Sequence, residues 1–396
     1  MAEAMTMPQR ARGIFRVAAI AGALLLGACQ TVVPRGPAPP PVQKAPPPPA
    51  ETEVQAGLPH DTARNRVALL VPLTGTNAGV GKSLANATQL ALLDSRNDKV
   101  RITSYDTATG AANAARRAIA DGAQLILGPL LAEDVRAITP IARAAKIPVL
   151  SYSNDVSVAG DGVYLMGYTP GQSIERVVAY ARSRGVTNFG GLIPNSLYGT
   201  RASTTFLRAV ESSGGKVLSL QTYDRSGAAM TAAVGRMAKD APFDAVLIAD
   251  SGNAAAAGAP LVRRQSPSVR ILGTELWNSD NGLAGRGGLD GAWFASVSNG
   301  LYRQYATKYR ARFGTAPYRL SSLGYDSVLL TVRIARDWRI GAPFPEARLR
   351  SGEGYAGIDG AFRFGRDGVA DRALEVQEIK DGGTIVVSPA PTGFDK

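Results

Sequence analysis

The sequence predicts an α/β protein built of two doubly wound parallel-sheet lobes. Three observations lead there. Short apolar runs bounded by turn residues alternate with stretches of helical periodicity from residue 66 onward, the signature of parallel strands joined by right-handed helical crossovers. The runs are continuous rather than alternating, as in strands buried on both faces. The series then begins again after Pro170, which reads as two sheets of one construction rather than a single large one.

Residues 67–71, VALLV, form the first strand, and Pro72 ends it because proline cannot donate to a ladder. Thr74, Gly75, Thr76 and Asn77 make a loop, and a helix follows with Leu84, Ala87, Leu90, Ala91 and Leu93 on its apolar face. Residues 101–105 are the second strand and 111–120 an alanine-rich helix. The third strand, 125–127, stops at Gly128-Pro129, and helix 133–145 carries Val135, Ile138, Ile141 and Ala142 on one face. The fourth strand, 148–150, runs into Ser151, Tyr152, Ser153 and Asn154.

The second series has helix 170–184, strand 189–193, helix 202–211, strand 217–223, helix 228–239, strand 244–249, helix 254–264 and strand 269–272. Its strands end in polar stretches: Asn195 to Gly199, then Asp250-Ser251-Gly252, then Thr274-Glu275. Ligands of open parallel sheets bind at such carboxyl ends. Helices 301–313 and 322–338 come next. Alternating strands at 358–364, 374–379 and 384–387 close the chain, with hairpin-type turns at Asp367-Gly368 and Asp381-Gly382-Gly383.

The first 28 residues read as a targeting segment. Arg10, Arg12 and Arg16 precede an apolar stretch, 17–26, too short for a membrane-spanning helix of roughly 20 residues. Leu26-Gly27-Ala28-Cys29 resembles a bacterial lipobox, which implies that Cys29, the only cysteine, is the acylated first residue of a lipoprotein. Gln30 after it, rather than aspartate, resembles lipoproteins sorted to the periplasmic face of the outer membrane. Residues 29–65 form a Pro-rich tether with no packing pattern. Extended, it reaches on the order of 100 Å at about 3.1 Å per residue.

Composition excludes several functions. The net charge is +12, but lysine and arginine are dispersed without a basic block, which argues against nucleic acid. The only histidine is His60, in the tether, so no Ser-His-Asp or Cys-His arrangement and no zinc site is expected. Glu133 and Asp134 sit at a helix start and suit its dipole rather than an acid–base pair. Gly79-Val80-Gly81-Lys82-Ser83 suggests a phosphate-binding loop, but that motif needs glycine where Thr76 stands. A non-catalytic protein without cofactor is expected.

Several stretches together resemble the type I periplasmic binding proteins: residues 67–75, Leu127-Gly128-Pro129, Pro148 to Ser151, Leu197-Tyr198-Gly199, and the closing block from Tyr355 through Gly360, Phe362, Phe364 and Gly368. The resemblance implies lobes that close on a ligand about a hinge, with crossings near 168–171, 296–300 and 351–357. Lobe one is then 66–169 with 300–352, and lobe two 170–299 with 353–396. It also implies a cleft faced by Thr74, Ser151, Ser153, Asn154, Tyr198, Asp250, Ser251 and Glu275. The loop Leu130 to Asp134 lacks the hydroxyls that amino-acid receptors of the family place there and brings two carboxylates instead. Lipoproteins that activate penicillin-binding proteins carry this domain, and the chain resembles them. The expected partner is therefore a peptidoglycan synthase, with the membrane held through Cys29. The alternative is a substrate-binding lipoprotein that hands an amino acid or similar solute to an ABC transporter.

Overall fold

The computed structural model describes residues 63–240, 242–279, 283 and 288–394. The expected targeting segment, Cys29, the Pro-rich tether and His60 lie outside them. The first sheet consists of β1 (Asn65–Val71), β2 (Val100–Asp106), β3 (Leu125–Leu127), β4 (Val149–Ser151) and β5 (Val163–Leu165). All its pairs are parallel, in the order β2-β1-β3-β4-β5. Helices α1 (Ala78–Ser95), α2 (Ala111–Ala120) and α3 (Ala132–Ala144) connect the first four strands. Residues 67–71 are all buried, because α1 covers one face of β1 and α2 the other.

The second lobe repeats the plan. Its elements are α4 (Pro170–Ser183), β6 (Asn188–Pro194), α5 (Leu197–Ser212), β7 (Lys216–Tyr223), α6 (Gly227–Met237), β8 (Ala245–Ile248), α7 (Gly252–Gln265), β9 (Arg270–Gly273) and β10 (Trp293–Ser296). Strands β7-β6-β8-β9-β10 lie in the same parallel order as the first sheet, so both lobes have a switch point beside their first strand. The sequence pattern did not show β5 or β10. Each is only three or four residues long and, unlike β3, β4, β8 and β9, is not followed by a connecting helical pattern that completes a strand–helix unit of its own sheet before the chain crosses to the other lobe.

Helices α8 (Gly300–Phe313) and α9 (Ser321–Ala335) return to the first lobe and pack on α1. The C-terminal strands then divide. Strands β11 (Tyr355–Gly357), β12 (Gly360–Phe364) and β13 (Ala370–Arg372) form a small antiparallel sheet. Its Tyr355, Phe362, Phe364 and Ala370 are buried in one core with β1, α1 and α9. Only β14 (Glu375–Lys380) and β15 (Gly383–Ser388) join the second sheet, antiparallel at the edge beside β10. The expected third crossing at 351–357 is therefore displaced to 373–374, and 353–372 belongs with lobe one rather than lobe two. The reason is aromatic burial: these side chains find a core only against the first lobe.

The crossovers are cemented by a buried polar cluster. Arg319, in the turn between α8 and α9, bonds Asp359 at 2.8 Å. Tyr168, in the first crossover, donates its hydroxyl to the same carboxylate. Asp326 on α9 accepts the N–H of Ile358 at 2.7 Å, and burial together with neighbouring Asp359 pushes its carboxyl up to about 7. Arg372, just before the third crossover, donates to the carbonyl of Met166 at 2.5 Å.

Each lobe also sets the helix that follows its first strand directly against the end of that strand. A Cβ on Gly81 of α1 would lie 1.8 Å from the Pro72 carbonyl oxygen, and one on Gly199 of α5 would lie 1.9 Å from that of Pro194. Both positions require glycine for the helix to approach so closely. Gly81, which first suggested a phosphate loop, is thus a packing residue. Gly81→Ala is expected to cost about 3 kcal/mol of stability in denaturant unfolding, because backbone must move. Gly235→Ala, in open space on α6, should instead stabilise by up to about 1 kcal/mol.

Candidate functional site

A cavity of about 300 Å³ lies between the lobes. Lobe one contributes Leu130, Leu131, Ala132 and Glu133 after β3, and Ser153, Asn154 and Asp155 after β4. Lobe two contributes Leu197, Tyr198 and Arg201 from the first turns of α5, and Pro170 opens α4 at the crossover. Ser196 fixes the start of α5, its hydroxyl accepting the Gly199 N–H at 3.1 Å. Tyr198 and Arg201 are three residues apart on that helix and so share a face.

The strongest contact in the site joins the two lobes. Arg201 Nη2 of α5 lies 2.5 Å from Asp155 Oδ1, and Arg136 Nη2 of α3 lies 2.7 Å from Oδ2. The Ser157 N–H and hydroxyl add bonds of 2.9 and 2.5 Å to Oδ1. Burial pushes the Asp155 carboxyl up. The Ser157 bonds, Arg201 and Arg136 outweigh it and hold the carboxyl below the ordinary carboxylate range. Arg136 is half exposed and contributes little; Arg201 is the more enclosed partner.

Of the eight residues expected to face the cleft, Ser153, Asn154 and Tyr198 line this cavity. The other five are not among its lining residues, and each already has partners. Ser151 is fully buried and donates to the Pro129 carbonyl at 3.1 Å. Thr74 donates to Asp106 at 2.6 Å on the exposed end of β2. Asp250 is buried between the Tyr223 hydroxyl at 2.8 Å and Arg225 at 3.0 Å. Ser251 caps α7, accepting the Ala254 N–H at 3.3 Å. Glu275 stands one bond behind the cavity, accepting from Tyr198 at 3.0 Å and from Ser173. Burial pushes its carboxyl above the ordinary range.

Residue-by-residue reading missed Asp155, Arg136, Arg201, Leu197 and Pro170. Arg201 had a signal, its helical spacing from Tyr198. Asp155 had none, because what distinguishes it is two arginines from different helices. Among the described residues, no group of three His, Cys, Asp or Glu side chains could hold a metal ion.

The first helical turns of α3, α4 and α5 all border the cavity. Their partial positive ends favour negative groups, and Glu133 and Asp155 already supply them. Residues 65–384 match the profile of the periplasmic binding protein family.

The chain belongs to that family. Its fold is that of the leucine-binding, type I members. The leucine binding protein LivK of Thermotoga maritima superposes with a TM-score of 0.63 at 21% identity, covering 82% of this chain and 98% of LivK. An uncharacterized protein of Rickettsia prowazekii is 25% identical over 177 residues, 44% of this chain and 47% of that protein. The penicillin-binding protein activator LpoA of Photobacterium profundum is 26% identical over 178 residues, 43% of this chain and 29% of LpoA. The match thus spans less than half the length of each of these two relatives. Family membership places this periplasmic binding protein outside the cytoplasm. No helix of the described residues is long and apolar enough to cross a membrane.

The Asp155–Arg201 bond has a measurable consequence. Arg201→Ala is expected to lower unfolding stability by about 2 kcal/mol, the worth of a bond to a charged group, and to raise the radius of gyration in small-angle scattering. Because the folded-state pKa of Asp155 is depressed, its contribution is fully present above its unfolded value of about 3.9 and fades as pH falls through the lower folded value. Scattering should therefore show the wild-type lobes joined at pH 5 to 8, with separation confined to strong acid.

Proposed function

We propose that this chain is a non-catalytic envelope lipoprotein that activates a penicillin-binding protein, anchored through Cys29 at the periplasmic face of the outer membrane. One observation carries the reading: Asp155 and Arg201, the charged pair on facing walls of the cleft, are bonded directly to each other across it. A receptor must break such contacts to admit a solute, and their cost subtracts from affinity. A domain used as a rigid partner surface gains from them. Similarity to LpoA over 178 residues points the same way.

A second reading has its own observation. The cavity of about 300 Å³ with Ser153, Asn154 and Tyr198 on its wall is at the small end of the range for ligand sites. On that reading the chain delivers an amino acid or similar small solute to an ABC transporter.

Crosslinking in intact cells from exposed positions on both lobes, with mass spectrometry of the captured proteins, separates the two. The expected product is a peptidoglycan synthase, and the purified chain should raise that synthase's turnover. Capture of an ABC permease, together with a solute that raises the melting temperature of the chain, would overturn the activator assignment in favour of the receptor.

A further inference from the structure

Helix α8 carries four cations, Arg303, Lys308, Arg310 and Arg312, and no carboxylate. Its inner face is fixed: Tyr305 and Tyr309 are buried, Tyr305 meets the ring of Tyr325 at 5.3 Å, and Asn86 of α1 donates to the Tyr309 hydroxyl at 3.1 Å. All four cations are consequently exposed. Arg303 and Arg310, two turns apart, border one side of the outer face. Lys308 and Arg312, one turn apart, border the other. Lys308 pairs with Asp94 of α1 at 3.0 Å. Among the described residues, the guanidinium groups of Arg303, Arg310 and Arg312 make no ion pair or hydrogen bond. Exposed apolar bodies flank them: Leu301 at the start of the helix, Tyr318 just past its end and Leu93 on neighbouring α1, each a little over half exposed.

We propose that the outer face of α8 docks this domain onto an anionic phospholipid surface, through Arg303, Arg310 and Arg312, with Leu301 and Tyr318 entering the headgroup layer at either end. Charge complementarity supports a negative partner, and the arrangement favours lipid over protein. A protein acceptor would supply carboxylates at fixed positions and so calls for a compact, pre-oriented set of cations. These cations instead straddle a ridge about 14 Å long, held by no ion pair or hydrogen bond among the described residues, which suits a mobile field of phosphates. Leucine and tyrosine beside arginine are the combination that lies at a bilayer interface. The surface is separate from the cleft, since no residue of α8 lines the cavity. The inference stands whichever partner the cleft serves.

The test uses the full chain with Cys29→Ala, which removes the only native thiol, and Gln304→Cys, labelled with an environment-sensitive fluorophore on the exposed ridge of α8. A second protein carries the label at Glu211→Cys on α5. The probe is vesicles of phosphatidylcholine with or without about 30% phosphatidylglycerol. The expected result is a blue shift at position 304 only, with the anionic vesicles only, reversed as salt rises from about 0.05 to about 0.5 M. Replacing Arg303, Arg310 and Arg312 by glutamine should weaken partitioning roughly 100-fold, about fivefold per cation. These side chains are exposed and make no ion pair or hydrogen bond among the described residues, so the melting temperature of the variant should match that of its parent. No response at position 304, equal response at positions 304 and 211, or unchanged partitioning of the triple variant would each overturn the proposal. A label that ignores vesicles but responds to polyglutamate would transfer the surface to an acidic protein and equally overturn the lipid assignment.

Discussion

Arg319 and Asp359 form an ion pair that is almost completely withdrawn from water, and the join between the first crossover, α9 and the small sheet depends on it. Burying two charges costs several kcal/mol per ion, and Coulomb attraction alone seldom returns it. Here the pair is reinforced. Arg319 also bonds the Ser322 hydroxyl at 2.8 Å and stacks over the Tyr302 ring at 4.0 Å, while Asp359 holds the hydroxyl of Tyr168. Through these contacts one site fixes the first crossover, the start of α9 and the turn of the small sheet. Gln172 of α4 extends it into the second lobe, donating to the Ala370 carbonyl at 2.6 Å and accepting the Arg372 N–H at 3.2 Å. The first and third crossovers of this protein are therefore pinned by directional bonds, not merely tethered.

The cleft follows the same logic. Two lobes of equal topology bring their switch points to a shared cavity, where an open-sheet protein would ordinarily hold a ligand. In this chain Asp155 and Arg201, which line facing walls of the cavity, are bonded to each other across it. What the fold offers in general and what this sequence has done with it differ, because a fold hosts many functions and the site decides among them. The outer face of α8 shows the complementary case. Buried tyrosines there hold cations outward, and three of them, Arg303, Arg310 and Arg312, make no ion pair among the described residues; that is a property of a surface rather than of a cleft.

Much of the architecture was legible in the sequence. Continuous apolar runs such as 67–71 and 245–248 are distinctive because a parallel strand is covered on both faces, and Pro72 and Gly128 mark where such runs stop. The same local rules placed Ser153, Asn154 and Tyr198 at strand ends, and the family resemblance implied that they face the cleft. They could not show that Ser151, read as the residue after the fourth strand, belongs to β4 and turns inward to the Pro129 carbonyl, or that Asp250 is enclosed by Tyr223 and Arg225.

The sequence by itself determined the fold class, the duplication of the lobes and the kinds of residue at each strand end, because those depend on periodicity and on the chemistry of single positions. Tertiary structure alone decided which lobe owns 353–372, since aromatic side chains go wherever a core will accept them and no local pattern records that choice. It alone brought Asp155 together with Arg136 and Arg201 from separate helices, and Arg319 together with Asp359 across forty positions of chain. Ion pairs of that kind depend on distance in space, and one sequence read by itself carries no measure of it.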